Sequence, residues 1–361
     1  MMPEVPVPLT SCLSLALVVF STWASPVRAA TKRSCATSFR NWMARWSCAR
    51  GNRPLPREPS PGAAGTLSPM LTPNQRYHDR VAPRYDDIYA KDPYWAYYRD
   101  VSWQDLKRSL PTDLGLPVLD AGCGTGIYGL KLLRSGFRVV LSDLSRKMLD
   151  VAERNARASF PDREIEAVQA DLVDLEPFGD GQFSLVVAQG DVLSFASDWR
   201  RALSSVRRVL APNGRAVLSL DSRFGGVDPF LKQNDLDGLE EFLSSGTGEW
   251  LADRPEERFP FHAFDPAELA RGAERAGLVM VRLIGKTLFD LRHGHVWLSD
   301  AATRRRLLAM ERRYGETPLA LGRAHHLQAT FALREDVPGG DAAPRKSAGA
   351  RRKRRRKKGA G

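Results

Sequence analysis

Cysteine is scarce. The chain has four in 361 residues: Cys12, Cys35 and Cys48 fall in the first 69, and Cys123 stands alone in the remainder. No CxxC pair or Cys/His spacing suggests zinc, no metal is expected, and so low a density argues against a disulfide framework. Long apolar runs are lacking as well. "SLALVVF" near the N-terminus is too short to span a bilayer, so no transmembrane span is expected. The "STWASPVRAA" that follows is similar to the cleavage region of a signal peptide. The segment before it, however, carries Glu4 and three prolines but no Lys or Arg, so the basic leader of such peptides is missing. "ARGNRPLPREPSPGAAGTLSP" then has too little apolar content to fold. The expectation for residues 1–69 is a disordered extension or an over-extended reading frame whose true start is Met70; the alternative is a real export or anchor sequence. N-terminal mass spectrometry from the native host decides, because a peptide from residues 31–69 rejects Met70. The central domain reads as cytoplasmic.

Evenly spread positive charge is also absent. The net +12 lies at the ends: residues 345–361 hold ten Lys/Arg and no acid, residues 1–69 contribute +6, and residues 70–344 come to −4. The tail "RRKRRRKK" has the composition to touch nucleic acid or anionic lipid by counterion release. It has equally the composition of a solvated, disordered terminus over 339–361. No internal repeat is visible. With 43% hydrophobic residues, the chain can bury a sizeable core.

From Met70 the pattern becomes orderly. The aromatic and charged stretch 76–110 predicts two helices around the Ala82-Pro83 break, with Trp103, Leu106 and Leu110 as an apolar stripe. "PVLDAG" predicts a buried strand, "GLKLLRSG" a helix ended by Gly136, "RVVLSD" a second strand, and "SRKMLDVAERNARASF" a helix capped by Ser145. Strands "IEAVQAD" and "FSLVVAQ" follow. A helix "DWRRALSSVRRVLAPNG" closing on a Pro-Asn-Gly turn comes next, then a fifth strand, "RAVLSLD". Such alternation with short connections predicts an α/β, doubly wound parallel sheet with helices on both faces. Residues 222–263 break the rhythm and sit directly after a strand's carboxyl end, as a substrate lid would. Beyond them lie a helix capped by Asp265, the strand "LVMVRLIGK", a charged helix and a final alternating strand, "LQATFALR".

The stretch "VLDAGCGTGIYG" (118–129) poses a choice of nucleotide. Gly124-x-Gly126-x-x-Gly129 fits the dinucleotide fingerprint of an NAD(P)-dependent oxidoreductase, in which the loop beyond strand one wants an anion. Asp120, two residues before Gly122, would repel a pyrophosphate. It suits a ligand with an ammonium and no phosphates, and S-adenosylmethionine is such a ligand. Asp143 ends strand two, where a carboxylate accepts ribose hydroxyls. Asp171 ends strand three near an adenine edge, and Gln189 and Gly190 end strand four at the mouth.

These segments, with "RVLAPNGRAVLSLD" and "FHAFDPAELARGAERAGL", follow in the order seen in class I S-adenosylmethionine-dependent methyltransferases. The chain resembles that family over roughly residues 75–334, in particular its small-molecule, ubiquinone/menaquinone-type members. The resemblance implies a Rossmann-like, seven-stranded sheet, mostly parallel with the last strand antiparallel, over a domain spanning 70–338. It implies that Asp120 and the backbone of Gly122, Gly124 and Gly126 hold the methionine end, and that Asp143 binds ribose. Leu144 and Met148 would pack near the ribose and adenine, although Met148 at helical spacing from Ala152 fits a core position as well. Asp171 and Leu172 would line the adenine pocket, with Gln189 facing the reacting end. The Tyr85-Asp86 pair resembles the element that covers the cofactor, and Cys123 is expected to pack under the loop.

Methyl transfer from a sulfonium is an in-line displacement in which alignment dominates, so no universal base is required. The candidates near the mouth are Asp191, His262 and the pair His293/His295, each with a capping or structural role as the alternative. The lid aromatics (Phe224, Phe230, Phe242, Trp250, Phe259, Phe261) suit an apolar or aromatic small-molecule acceptor. RNA methylation would call for a basic central face, which the −4 balance does not provide.

Overall fold

A computed structural model describes residues 71–250, 253–292 and 294–338. The expectations for the N-terminal 69 residues, for His293 and for the basic tail lie outside the described residues.

The fold is built on a sheet of seven strands. In chain order these are β1 Val118–Ala121, β2 Val139–Asp143, β3 Glu166–Gln169, β4 Phe183–Ala188, β5 Leu210–Asp221, β8 Leu278–Lys286 and β9 His326–Leu333. Their order across the sheet is β3-β2-β1-β4-β5-β9-β8. Strands β1 to β5 run parallel, while β9 is inserted antiparallel between β5 and β8. The expected fold class is therefore realised, including the inverted last strand. Two further strands, β6 Thr247–Trp250 and β7 Phe259–His262, form a separate hairpin that the sequence pattern does not announce.

Period-two alternation sends successive side chains to opposite faces. Leu119, Val186, Ala188 and Leu218 meet helix α7 Trp199–Val209 through Leu203 and Val206. Val118, Leu185, Val187 and Val217 face the other way. There they meet α4 Ile127–Arg134 and α5 Arg146–Ser159 through Leu132 and Leu149. Local chemistry starts these helices: the Ser145 hydroxyl accepts from the Met148 N–H, and Asp198 accepts from the N–H groups of Arg200 and Arg201.

Four local expectations need correction. The N-terminal stretch holds three α-helices: α1 Pro73–Val81, α2 Tyr85–Ala90 and α3 Pro93–Leu106. Ala82-Pro83 lies in a single 3₁₀ turn that continues α1, and the second break comes where Asp92 caps Tyr94 ahead of Pro93. The helix before the Pro-Asn-Gly turn stops at Val209, and the turn bulges inside β5, with Asn213 at φ 61° and its N–H bound to Asp336. Strand β9 is buried on both faces rather than half-exposed, because strands flank it and helices cover it. Residues 222–263 are not aperiodic: α8 Asp228–Gln233 and α9 Leu236–Ser245 precede the hairpin, and α9 is capped by Asp235 and closed by left-handed Gly246.

Helix α10 Pro266–Arg275 leads into β8, and α11 Ala301–Tyr314 and α12 Pro318–Arg323 link β8 to β9. No helix among the described residues is long and apolar enough to cross a membrane.

Candidate active site

Strand order reverses between β1 and β4, the switch point whose crevice takes ligands in doubly wound sheets, and the loops beyond the two strands meet there, a Cβ on Gly122 lying 2.6 Å from Val192. Residues 122–126 turn there through left-handed φ at Gly122, Gly124 and Gly126. A Cβ on Gly124 would meet nothing within 4 Å, nor would one on Gly190 beyond β4. A Cβ on Gly129 would lie 2.3 Å from Leu141 and 3.0 Å from the Asp120 carboxylate, so that glycine lets α4 close on the sheet. Asp120 is 1% exposed, and its Oδ2 has no hydrogen-bond partner among the described residues. Burial pushes its pKa up to about 7, against the Gly129 N–H, which favours the charged form. Holding this carboxyl ionised costs roughly 4 kcal/mol, a penalty that a cation above it would offset and a phosphate would enlarge.

Asp143 ends β2 and ties the loop to the next helix. It accepts 2.8 Å hydrogen bonds from the N–H groups of Gly124 and Ser145. Burial raises its pKa, and His78 on α1 pulls it back. The Thr125 hydroxyl donates to Asp86 at 2.7 Å, so the Tyr85-Asp86 pair touches the loop through its acid. Tyr85 packs with Val81, Ala82 and the buried Met148. The Leu144 carbonyl accepts from Gln75 and Gln169. One oxygen of Asp171 caps its own turn at the Val173 N–H, and Leu172 joins the core. Gln189 donates to the Val217 carbonyl and leaves its Oε1 buried and unpaired.

On the β4 side of the crevice lies a second polar centre. Asp191 sits in the left-handed region at φ 62°, held by its N–H bond to the Ser219 hydroxyl. One carboxylate oxygen accepts from the Tyr98 hydroxyl of α3 at 3.0 Å, and the other lies 2.9 Å from His326 Nδ1. Asp221 is 3.3 Å from the same nitrogen. Lys286 Nζ donates to the Tyr98 and Ser102 hydroxyls. Asp191, Asp221 and His326 are also close enough together to share a metal ion.

A methyltransferase domain model matches residues 118–214 of this chain. The chain is 30% identical over 238 residues to the tRNA 5-carboxymethoxyuridine methyltransferase of Escherichia coli K12, a match covering 63% of this chain and 86% of that protein. This chain belongs to the class I S-adenosylmethionine-dependent methyltransferases. It is also 36% identical over 145 residues to the demethylmenaquinone methyltransferase of Thermus thermophilus, covering 38% of this chain and 61% of that one. A solved S-adenosylmethionine-dependent methyltransferase from Mesorhizobium loti aligns at 23% identity and a TM-score of 0.44, over 64% of this chain and 97% of the other.

Within this methyltransferase, Asp120, Asp143 and Gln189, named from the sequence, stand at the carboxyl ends of the neighbouring strands β1, β2 and β4. Asp191 joins them. His262 does not share its contacts: its Nε2 lies 3.2 Å from Glu268, and its ring stacks on Trp199. Burial lowers the His262 pKa despite that acid. His295 accepts from the Trp297 N–H and caps a short turn. Sequence reasoning missed Tyr98, Ser219, Asp221, Lys286 and His326. The available signal was three strand termini, Asp221 and Lys286 closing β5 and β8 and His326 opening β9, but only the pairing of those strands brings them together.

Proposed function

We propose that this methyltransferase binds S-adenosylmethionine over β1 and β2 and carries its methyl group to a small-molecule acceptor seated over β4 and β5. One observation carries the reading: a continuous aromatic wall borders the β4 end. Tyr77 of α1 meets Trp250 and Phe259 of the hairpin at ring distances of 5.9 and 6.2 Å. Phe195, at the end of the short helix α6 Val192–Phe195 that follows β4, meets the same two rings at 5.5 and 5.8 Å. Such a wall excludes water and favours an apolar or aromatic acceptor.

The residues fit the cosubstrate. Asp120 Oδ2 lacks a partner beneath a glycine loop whose Gly124 faces open space, as a cradle for an ammonium-bearing group requires. Asp120 and the backbone at Gly122, Gly124 and Gly126 hold the methionine end; Asp143 takes the ribose, with Leu144, Met148 and Tyr85 around it. Asp171 and Leu172 border the adenine, and Gln189 borders the reacting end. When bound, the sulfonium supplies an electrophilic methyl carbon, and the protein's task is alignment. We assign the catalytic domain to 70–338, with 222–263 as its lid. Cys123 is a free, buried thiol, which accords with a cytoplasmic enzyme.

The likeness to a tRNA methyltransferase favours a second reading, in which tRNA is the acceptor and the basic tail assists. Against it stands the −4 balance of residues 70–344. Calorimetry of the full chain with S-adenosylhomocysteine and, in parallel, NADH tests the cosubstrate: micromolar binding of the thioether alone is expected, and binding of NADH alone rejects it. Tritiated S-adenosylmethionine offered with total tRNA or with a small-molecule extract then separates the acceptors. Label in tRNA that is lost on deleting residues 345–361 overturns the small-molecule reading.

A further inference from the structure

Helix α11 lies against the outside of α3, the helix whose Tyr98 reaches Asp191. Leu307 and Leu308 pack with Leu298 against Tyr94, Tyr97 and Val101, and Glu311 turns inward to accept from the Tyr97 hydroxyl. At 3.6 residues per turn, that orientation sends Ala302, Arg305, Arg306, Ala309, Arg312 and Arg313 outward, and all six are exposed. None of these four arginines forms an ion pair with a described residue, whereas half-buried Arg304 pairs with Asp100. The acids along the same stretch are engaged elsewhere. Asp300 caps the helix at the Thr303 N–H, Glu311 is buried, and Glu316 pairs with Arg282 of β8.

Apolar groups border the arginines at both ends of the helix. Five of the thirteen large apolar side chains exposed among the described residues lie between 296 and 319: Val296, Trp297, Met310, Tyr314 and Leu319. Val296, 71% exposed, and Trp297 stand in the turn before the Asp300 cap. Leu319, 87% exposed, opens α12 just past the other end. A clustering of this kind marks a surface that meets something other than water.

We propose that the outer face of α11 docks the protein on an anionic membrane surface. The arginines meet lipid headgroup phosphates, and Val296, Trp297, Tyr314 and Leu319 enter the interface. Guanidinium groups pair with phosphate through two parallel hydrogen bonds. Trp and Tyr rings favour headgroup depth, and a basic helix face with apolar neighbours is the combination that holds a helix flat on a bilayer. The negative balance of residues 70–344 does not oppose this, because attraction to a charged surface is felt within about 8 Å at physiological salt. The lid acids Asp237, Glu240 and Glu241 stand on α9, which packs on α8 and β6. A nucleic-acid backbone would suit the arginines but offers Val296 and Leu319 no apolar contact. A second copy of this chain seated on the same face would set arginine against arginine. Docking here is independent of the cosubstrate and acceptor readings above.

The test is cosedimentation of the full chain with vesicles of phosphatidylcholine alone or mixed with phosphatidylglycerol, at physiological salt. Binding is expected to be at least tenfold stronger to the anionic vesicles. The combined variant Arg305→Gln, Arg306→Gln, Arg312→Gln and Arg313→Gln should lose at least tenfold while its circular dichroism and melting temperature stay those of the parent. If that variant unfolds, Arg306→Gln with Arg313→Gln replaces it, and a loss of at least threefold is expected. Brominated lipid should quench tryptophan fluorescence in the parent and quench it less in Trp297→Phe. Deleting residues 345–361 should weaken binding without removing its dependence on the α11 arginines. Unchanged binding in the folded arginine variant overturns the proposal, as does complete loss of binding on tail deletion or equal quenching in Trp297→Phe. Binding of total tRNA through the same arginines, with no binding to vesicles, overturns it in favour of a nucleic-acid face.

Discussion

Arg80 on the first helix grips Glu257 in the lid, 177 residues away. Its Nε lies 2.7 and 2.8 Å from the two carboxylate oxygens, and a terminal nitrogen reaches one of them at 2.6 Å. The Glu257 side chain is 4% exposed, so the pair is shielded from solvent, unlike most surface bridges. It clips together the two segments that supply Tyr77, Trp250 and Phe259 to the aromatic wall. Arg80→Ala leaves the buried carboxylate with only Arg254, 3.9 Å away, as a counter-charge and should cost up to about 3 kcal/mol. Urea unfolding measures that cost. The acceptor KM should rise more than the affinity for S-adenosylhomocysteine falls.

Asp120 makes the free enzyme pH-sensitive in a definite direction. Its folded pKa of about 7 lies above the ordinary carboxylate value, so between about pH 4 and 7 the folded chain keeps a proton that the unfolded chain has released. Stability therefore falls as pH rises through that window. Buried Glu311, also near 7, acts in the same sense, so Asp120→Asn should remove part of the slope and raise the melting temperature at pH 7.5. S-adenosylhomocysteine affinity should climb as pH rises through 7 in the parent chain and stay flat in Asp120→Asn. A flat parent profile rejects Asp120 as the counter-charge.

Two glycines of one motif should fail differently. Gly129→Ala drives a methyl into Leu141 and should cost about 2 kcal/mol of stability through overpacking. Gly124→Ala meets open space and only a left-handed φ of 55°, a strain of about 1 kcal/mol. Its methyl enters the cradle, however, so S-adenosylhomocysteine binding should drop at least tenfold. Thermal melts and calorimetry on both variants check the contrast.

Asp143→Ala should do both. It orphans the N–H groups of Gly124 and Ser145, at about 1–3 kcal/mol for each that stays unpaired, and it removes the carboxylate proposed to accept the ribose hydroxyls. Affinity for S-adenosylhomocysteine should fall by about a hundredfold, the equivalent of two hydrogen bonds to a charged group at about 1.5 kcal/mol each.

Much of this molecule is local chemistry written along the chain. Apolar strands bearing acids at 120 and 143, a serine cap at 145 and glycines at fixed spacing carry the sheet, the loop and one half of the site, because each depends on neighbours within a few residues, whereas Asp171 falls two residues beyond the end of β3. The other half depends on distant partners. Asp191 and Asp221 meet His326, and Lys286 reaches the same centre, only because β9 inserts antiparallel between β5 and β8. His262, promising beside the lid in sequence, is claimed by Glu268 and Trp199 once α10 packs. Backbone propensity and periodicity are properties of a segment and can be read from it. Burial and the field of a remote carboxylate arise only when strands far apart in the chain are brought within a few ångströms, and that the tertiary structure alone decided.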